Sequence, residues 1–171
     1  MISARYWLRR LLTLHETGVA NFPLQMGLSD TDWCTLLAYV NWSAAVLTPA
    51  HQQRLMLLSE LQSYRQAECD QLAYWLFEFV EEDAVPMHRI IASASLGFNH
   101  LWQDLGLDSR SELRELMTDC FPSLVALNVN NMRWKKFFYR QRCLHREGEV
   151  VCRSPSCDDC CEWSHCFAPE V

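Results

Sequence analysis

Apolar residues along this 171-residue chain recur at the three- and four-residue spacing of amphipathic helices. No stretch alternates apolar and polar residues convincingly, so the pattern does not favour strands. The segment from Ala4 to His15 is predicted to be the first helix, with Gly18 as its terminator. A later helix is predicted to carry four apolar side chains on one face: Leu55, Leu58, Leu61 and Tyr64. The periodicity therefore predicts an all-α fold.

Residues that cap helices stand at the starts of several apolar segments. Ser29 and Thr48 are predicted N-caps, and Pro49 follows in the first turn, where its missing N–H costs nothing. Ser109 stands three residues before Glu112, which is the spacing of a capping box. These local signals divide the chain into several separate helices.

The middle of the chain is predicted to hold a longer helix. Pro86 is expected to begin it, and the apolar pattern continues towards Trp102, with Gly106 as the C-terminal stop. The apolar side chains expected on this helix are Ile90, Ile91, Ala94 and Phe98. The pattern thus predicts one continuous element across this segment.

The last strong helical pattern is NMRWKKFFYRQRC, which follows an interruption at Pro122. Arg133, Lys136 and Arg140 share one face of this predicted helix, because they are three and seven positions apart. The aromatic side chains predicted to point elsewhere are Trp134, Phe137 and Phe138. The pattern thus separates a basic row from an aromatic face.

Composition indicates one globular domain that ends in a polar tail. Half of the residues are apolar, as in folded proteins of this length. Helical signals end at Leu144, and the remaining residues are polar and rich in cysteine. We expect a helical body at 1–145 and an irregular, cysteine-rich metal-binding tail at 146–171 that is not an independent domain.

Targeting signals are absent from the sequence pattern. No apolar run approaches the roughly 18 residues that a membrane span needs. The N-terminus has only a short apolar stretch after its arginines and lacks a small-residue cleavage site, so it does not indicate a secretory signal. We expect a cytoplasmic protein with no membrane contact, whose cysteines are reduced.

The net charge is −6, but the positive charge is concentrated near the C-terminus. No acidic residue lies between Cys120 and Arg146, whereas six residues there are cationic: Arg133, Lys135, Lys136, Arg140, Arg142 and Arg146. A basic stripe on an acidic protein suits an anion or an acidic partner, and the acidic remainder argues against nucleic acid. The alternative is a solvated helix face beside an aromatic core face, which is the commoner arrangement.

Five of the nine cysteines lie in the segment CRSPSCDDCCEWSHC. Four of them follow the spacing C-x4-C-x2-C-x5-C: Cys152, Cys157, Cys160 and Cys166. Reduced thiols at this density indicate a metal centre, whose binding supplies the folding energy that a polar loop lacks. Unevenly spaced thiolates favour an iron–sulfur centre, since structural zinc usually takes two separated C-x2-C pairs.

The pattern leaves open which further residues bind the metal and which function the centre serves. Candidate additional ligands are Cys143, Cys161 and His165, and the cysteines expected to be buried and inert are Cys34, Cys69 and Cys120. A zinc-stapled protein-interaction module and an iron–sulfur redox module are the alternatives to a metal carrier. A disulfide knot would need an extracellular setting, and no βαβ pattern supports a thioredoxin-like role. No nucleotide-binding or hydrolase motif indicates an enzyme.

Three C-terminal segments resemble the NifQ family of nitrogen-fixing bacteria: HLWQDLGLDSRSELRELM, FPSLVALNVNNMRWKKFFYRQRC and the cysteine tail ending in CFAPE. The cysteine spacing matches the family signature without a gap, and the run from Met132 to Tyr139 is equally characteristic. Two positions depart from the family pattern, because Cys161 doubles the central cysteine and Ala168 stands where glycine is expected.

The resemblance implies a cytoplasmic carrier of a molybdenum–iron–sulfur cluster that supplies molybdenum for assembly of the iron–molybdenum cofactor of nitrogenase. It also implies that the NifH protein and the NifE–NifN scaffold receive the metal. Because the sequence contains no turnover motif, we expect a metal carrier and not an enzyme. By the same resemblance the cluster ligands are Cys152, Cys157, Cys160 and Cys166. Molybdenum arrives as an anion, molybdate, which suits the row of Arg133, Lys136 and Arg140.

Overall fold

The computed structural model describes residues 3–147 and 163–167, and over these ranges the chain is helical, without strands. The α-helices are α1 (Ala4–Glu16), α2 (Asp30–Val40), α3 (Pro49–Ser63), α4 (Gln66–Phe77), α5 (Met87–Ser95), α6 (Leu101–Asp104), α7 (Arg110–Cys120), α8 (Pro122–Leu127), α9 (Trp134–Glu147) and α10 (Trp163–Phe167). Short 3₁₀ segments lie at Leu24–Gly27 and Glu82–Ala84. The all-α prediction is therefore confirmed for the described part of the chain.

Local sequence signals start and stop the helices as expected. The side-chain oxygens of Ser29, Thr48 and Ser109 accept hydrogen bonds from the backbone N–H three residues later, at 3.1, 3.3 and 3.1 Å. Each bond satisfies a donor that the first helical turn leaves without an intrahelical acceptor. Gly18 follows α1 with a φ of +76°, a left-handed conformation that favours glycine.

The core forms around the apolar face of α1, whose inner side chains are fully or almost fully buried. Helices α4, α5 and α7 pack their own apolar faces against the same core. The largest buried side chains include Trp7, Phe22, Phe121, Phe138, Leu8, Leu11 and Leu12. The indole N–H of Trp7 donates to Asp119 Oδ2 at 2.9 Å, so its one polar atom is satisfied at the edge of the core.

Helix α9 joins this core through the aromatic face that the sequence predicted. Trp134, Phe137 and Phe138 are all buried. The ring of Phe138 lies 6.2 Å from that of Trp75 on α4 and 5.8 Å from that of Trp134. This aromatic packing fixes the rotation of α9, and so decides which of its cationic side chains face outward.

The predicted long helix after Pro86 is wrong in its extent. Helix α5 ends at Ser95, and Phe98 is 89% exposed rather than packed on the core. The chain turns here because Asn99 binds Asp104 through both its backbone N–H and its side-chain amide, at 3.2 and 3.0 Å. Gly106 does follow the next short helix, α6, with a φ of +75°.

The predicted apolar face of α3 is only partly buried. Leu55 is fully buried, whereas Leu61 and Tyr64 are 56% and 82% exposed. The Ser59 hydroxyl of α3 accepts a hydrogen bond from the Leu24 N–H at 2.9 Å, which ties the helix to the first 3₁₀ segment. Periodicity specifies the face of a helix, but the extent of the neighbouring element determines how much of that face is covered.

The expectation of an irregular tail needs one correction. Residues 163–167 form α10, although the whole of 146–171 was expected to be irregular, and α9 extends to Glu147. The rings of Trp163 and Phe167 lie 5.0 Å apart, one helical turn from each other, and Phe167 packs against the core. The structure describes no other residues between 148 and 171. Within the described ranges, no helix has the length and apolar character needed to cross a membrane.

Candidate functional site

The start of α9 is fixed by a tight turn that precedes it. The buried side chain of Asn128 accepts a hydrogen bond from the Met132 N–H at 2.8 Å and donates one to the Met132 carbonyl at 2.9 Å. Asn131 has a φ of +50°, and Arg110 and Arg114 donate to its carbonyl and side-chain oxygens at 2.6 and 2.9 Å. The asparagine-rich run thus forms a rigid entry to the helix.

Polar contacts hold the inner side of α9 on the helical body. The Tyr139 hydroxyl donates to Glu68, and the buried Arg142 guanidinium donates to Gln71 Oε1 at 2.9 Å. Burial, followed by the hydrogen bond to Glu68, raises the pKa of Tyr139 to about 12. A hydrogen bond from Arg65 is the largest cause that lowers the pKa of Glu68. The phenol therefore stays neutral and the carboxylate ionised near neutral pH.

The side chains of Lys135 and Lys136, which are neighbours in the basic stripe, extend in different directions. Lys135 reaches into the body, where its Nζ lies 2.6 Å from Asp104 Oδ2 and 2.9 Å from the Gly97 carbonyl. Lys136, the next residue, is exposed on the outer side of α9. Only part of the stripe is therefore available to a ligand, because Lys135 neutralises a buried carboxylate.

Two contacts bring Cys166 onto the outer side of α9. Lys136 Nζ lies 3.7 Å from the Cys166 sulfur, and the Arg133 N–H donates to the Cys166 carbonyl at 3.0 Å. Arg133 also precedes α9 directly, and its own carbonyl accepts from the Phe137 N–H at 2.9 Å. One cysteine of the predicted quartet thus lies beside two members of the predicted basic row.

A pocket of about 130 Å³ lies beside this contact. Arg140, the third member of the basic row, lines it together with Gln141, and Phe167 of α10 adds an aromatic wall. The turn before α9 supplies the remaining lining residues, which are Leu127, Asn128, Val129, Asn130 and Met132, with Phe137 from the helix. Phe167, which follows Cys166 in the sequence, therefore lines the pocket. The guanidinium of Arg140 gives the pocket one positive charge.

The other predicted ligands lie outside the described residues or have undescribed side chains. Cys152, Cys157, Cys160 and Cys161 fall between 148 and 162, which the structure does not describe. Cys143 lies in α9 and His165 in α10, and for both only the backbone is described. Among the described residues, no three His, Cys, Asp or Glu side chains are grouped so as to hold a metal ion.

Comparison with known proteins decides the family. The NifQ family model matches residues 7–168, which include α9 and all four cysteines of the spaced motif. The chain belongs to the NifQ family. It is 56% identical over 161 residues to Protein NifQ of Klebsiella pneumoniae, covering 94% of this chain and 96% of that one. It is 36% identical to Protein NifQ of Azotobacter vinelandii, covering 96% and 88% of the two chains. No solved structure matches the chain.

The cysteines of this NifQ-family chain that lie outside the motif differ in accessibility. Cys69 and Cys120 are buried as expected, and burial raises their pKa values to about 11 and about 12. Cys34 was also expected to be buried, but it is exposed on α2. The face of α2 that packs on the core carries Leu36 and Val40, and Cys34 lies away from it.

Sequence reasoning missed the buried acid that orients the site. Asp104 lies in the segment predicted to be part of a continuous helix. No sequence motif indicated that it pairs with Lys135. Its carboxylate also accepts hydrogen bonds from the side chains of Asn21 and Asn99, at 3.3 and 3.0 Å. The sequence of this NifQ chain did contain an indication, because Asp104 is the lone acid inside the apolar stretch HLWQDLGL. A carboxylate that is buried there needs a hydrogen-bonding or cationic partner.

Proposed function

We propose that this chain carries a molybdenum–iron–sulfur cluster and supplies molybdenum for assembly of the iron–molybdenum cofactor of nitrogenase. Membership of the NifQ family implicates the chain in nitrogen fixation. The cluster is cargo, held by the thiolates of Cys152, Cys157, Cys160 and Cys166. The protein acts as a carrier and donor and has no catalytic turnover of its own.

The observation that supports this proposal most directly is the position of Cys166 beside Lys136, at 3.7 Å between Sγ and Nζ. A cluster bound by four thiolates is net negative, so an ammonium group next to one of its sulfurs stabilises it. The donor set fits the cargo, because thiolates select iron–sulfur chemistry and sulfide can bind molybdenum in the same core.

The outer side of α9 suits the arrival of molybdenum as an anion. The Lys136 ammonium and the Arg133 backbone N–H contact Cys166, and Arg140 lines the neighbouring pocket of about 130 Å³. A small tetrahedral oxyanion at this surface would meet positive charge and lie close to the sulfur ligands. We therefore assign molybdate attraction to the row of Arg133, Lys136 and Arg140.

The proposed recipients are the NifH protein and the NifE–NifN scaffold. Delivery requires a cargo that can leave, and Cys166, one of the proposed ligands, is only partly buried at the edge of the core. In this proposal the protein is cytoplasmic and contacts neither nucleic acid nor membrane.

Purification under argon from nitrogen-fixing cells tests the cargo. Elemental analysis is expected to give iron and molybdenum together, and electron paramagnetic resonance is expected to show a paramagnetic cluster. Colourless protein that contains neither iron nor molybdenum would reject the proposal. Protein that contains only zinc would favour the second candidate, a zinc-stapled interaction module, which the single C-x2-C pair supports less well.

Charge removal tests the basic row separately. The variant R133Q/K136Q/R140Q is expected to bind less molybdenum while its iron content stays near normal, because the iron is held by four thiolates, of which the row is seen to contact only Cys166. The control R5Q/R89Q removes exposed cations elsewhere and is expected to retain full loading. Unchanged molybdenum in the triple variant would reject the role of the row in molybdate attraction.

A further inference from the structure

Cys166 is held on α9 by two independent contacts, and these have different consequences. The hydrogen bond from the Arg133 N–H to the Cys166 carbonyl, at 3.0 Å, fixes the backbone of α10. The contact from Lys136 Nζ to Sγ, at 3.7 Å, involves only side chains. A substitution at Lys136 can therefore change the environment of the sulfur while the backbone anchor stays in place.

Lys136 is unusual in this chain, because Lys135 and Lys136 are its only lysines among 15 basic residues. Lys135 is committed to the buried carboxylate of Asp104. Lys136 is exposed on the outer side of the helix, and its ammonium can donate three hydrogen bonds to acceptors in different directions. An ammonium on a flexible stem can follow a sulfur atom that moves when a metal binds.

From this geometry we infer that Lys136 is a positioning residue that donates a hydrogen bond to the sulfur of Cys166 and tunes it as a metal ligand. The inference rests on the proposed function, in which Cys166 is one of four thiolate ligands. It adds a specific role for one member of the basic row. Lys136 orients the ligand and stabilises its negative charge, whereas Arg140 lines the neighbouring pocket.

The physical effect on the ligand has a defined direction. A hydrogen bond and a positive charge at a thiolate lower the energy of its lone pairs, so transfer of an electron from sulfur to metal takes more energy. A metal ion held by four thiolates is also a centre of net negative charge, which the ammonium stabilises. Loss of an outer hydrogen-bond donor of this kind lowers metal affinity by roughly 10- to 100-fold.

Cobalt binding to the full-length reduced protein tests the inference without the native cargo. Co²⁺ bound by thiolates absorbs through a sulfur-to-metal charge-transfer band. The K136M variant is expected to move this band to longer wavelength and to bind Co²⁺ about tenfold more weakly. K136R keeps a charged donor and is expected to stay close to the wild type. R5M removes one exposed cation far from Cys166 along the chain and serves as the matched control.

A double variant tests whether Lys136 changes the cobalt spectrum through the sulfur of Cys166 or through its charge alone. In C166A the charge-transfer band is expected to weaken, and adding K136M to C166A is expected to produce no further shift. A shift that persists without Cys166, or a K136M protein identical to the wild type, would overturn the inference. A wild-type chain that gives no charge-transfer band would overturn both the thiolate site and the role of Lys136.

The two proposals fail in distinguishable ways. If K136M shifts the cobalt band but protein from nitrogen-fixing cells contains no molybdenum, the proposed cargo is wrong and Lys136 remains a donor to a thiolate metal site. If molybdenum and iron are present and K136M leaves the cobalt band unchanged, the carrier function stands and the positioning role of Lys136 is rejected.

Discussion

Lys135 and Asp104 form an ion pair inside the protein, with Nζ 2.6 Å from Oδ2 and the carboxylate almost completely buried. The pair joins α9, which carries the candidate site, to the short helix α6. The same ammonium also donates to the Gly97 carbonyl at 2.9 Å. The pair therefore positions α9 from its inner side, while the neighbouring Lys136 contacts the sulfur of Cys166 on the outer side.

Removal of Lys135 is expected to destabilise the fold strongly. In K135M the buried carboxylate of Asp104 keeps hydrogen bonds from two asparagines but loses its counter-charge, which costs about 3–5 kcal/mol when one partner of a buried pair is removed. Urea unfolding measures the loss. The control K136M changes an exposed side chain and is expected to unfold near the wild-type midpoint. In D104N/K135M the loss is expected to be smaller than in K135M, and an equal or larger loss would contradict the role of Lys135 as counter-charge.

Gly106 is expected to tolerate no side chain without a loss of stability. Its φ is +75°, and a Cβ there would lie 2.9 Å from the backbone nitrogen of Ala20. In G106A the left-handed conformation alone costs about 1–2 kcal/mol, and the backbone contact adds to that. Thermal unfolding measures the change. As a control, S63A alters an exposed position at the end of α3 and is expected to be nearly neutral. A G106A protein as stable as the wild type would contradict this prediction, because it would show that the turn can relax.

Stability is expected to fall as the pH decreases from about 6.5 to about 4. Burial, and after it the positive charge of the neighbouring His51, lowers the pKa of His15 from 6.5 to about 4. The unfolded chain therefore binds a proton at His15 that the folded chain does not, across this pH interval. The contribution is fully present above pH 6.5 and is lost on acidification, by up to about 3 kcal/mol.

Urea midpoints measured across this pH interval test the effect of His15. His88 is shifted in the same direction, also to about 4 and chiefly by burial, so the wild type is expected to show the summed slope. H15L should retain only the part due to His88 and other groups. If H15L and the wild type show the same slope, the histidine is protonated in the fold and the assignment is wrong.

Cysteine modification is expected to distinguish three thiols of the folded body. Cys34 is exposed and should react promptly with iodoacetamide at pH 8. Cys69 and Cys120 should react only after unfolding, because burial raises their pKa values to about 11 and about 12 and also blocks access. Peptide mass spectrometry identifies the modified residues. Rapid labelling of Cys120 in folded protein would contradict its buried position.

Removal of the motif cysteines is expected to eliminate the cargo without unfolding the body. The main core is built by α1, α4, α5, α7 and α9, and none of these helices contains a motif cysteine. The variant that replaces Cys152, Cys157, Cys160 and Cys166 with alanine should lose iron and molybdenum while its far-ultraviolet circular dichroism stays helical. C34A is the matched control and should keep both metals. Full metal content in the quadruple variant would reject these ligands.

Local chemistry in the sequence was sufficient to predict several elements correctly. Ser29, Thr48 and Ser109 cap their helices because each bond forms within four residues of the cap. The aromatic face of α9 was also predictable, since Trp134, Phe137 and Phe138 recur at helical spacing. These signals depend on neighbours in the chain, so they need no knowledge of the tertiary fold.

The sequence by itself determined the helical class, the caps, the spaced cysteine motif and the presence of a basic helix before it. Only the tertiary structure decided that Lys135 turns inward to Asp104 while Lys136 turns outward to Cys166. Adjacent residues on a helix point about 100° apart, and the packing of α9 on α4 sets which direction is inside. The break after Ser95 and the position of α10 are equally nonlocal, because each depends on contacts between residues that the sequence alone does not bring together.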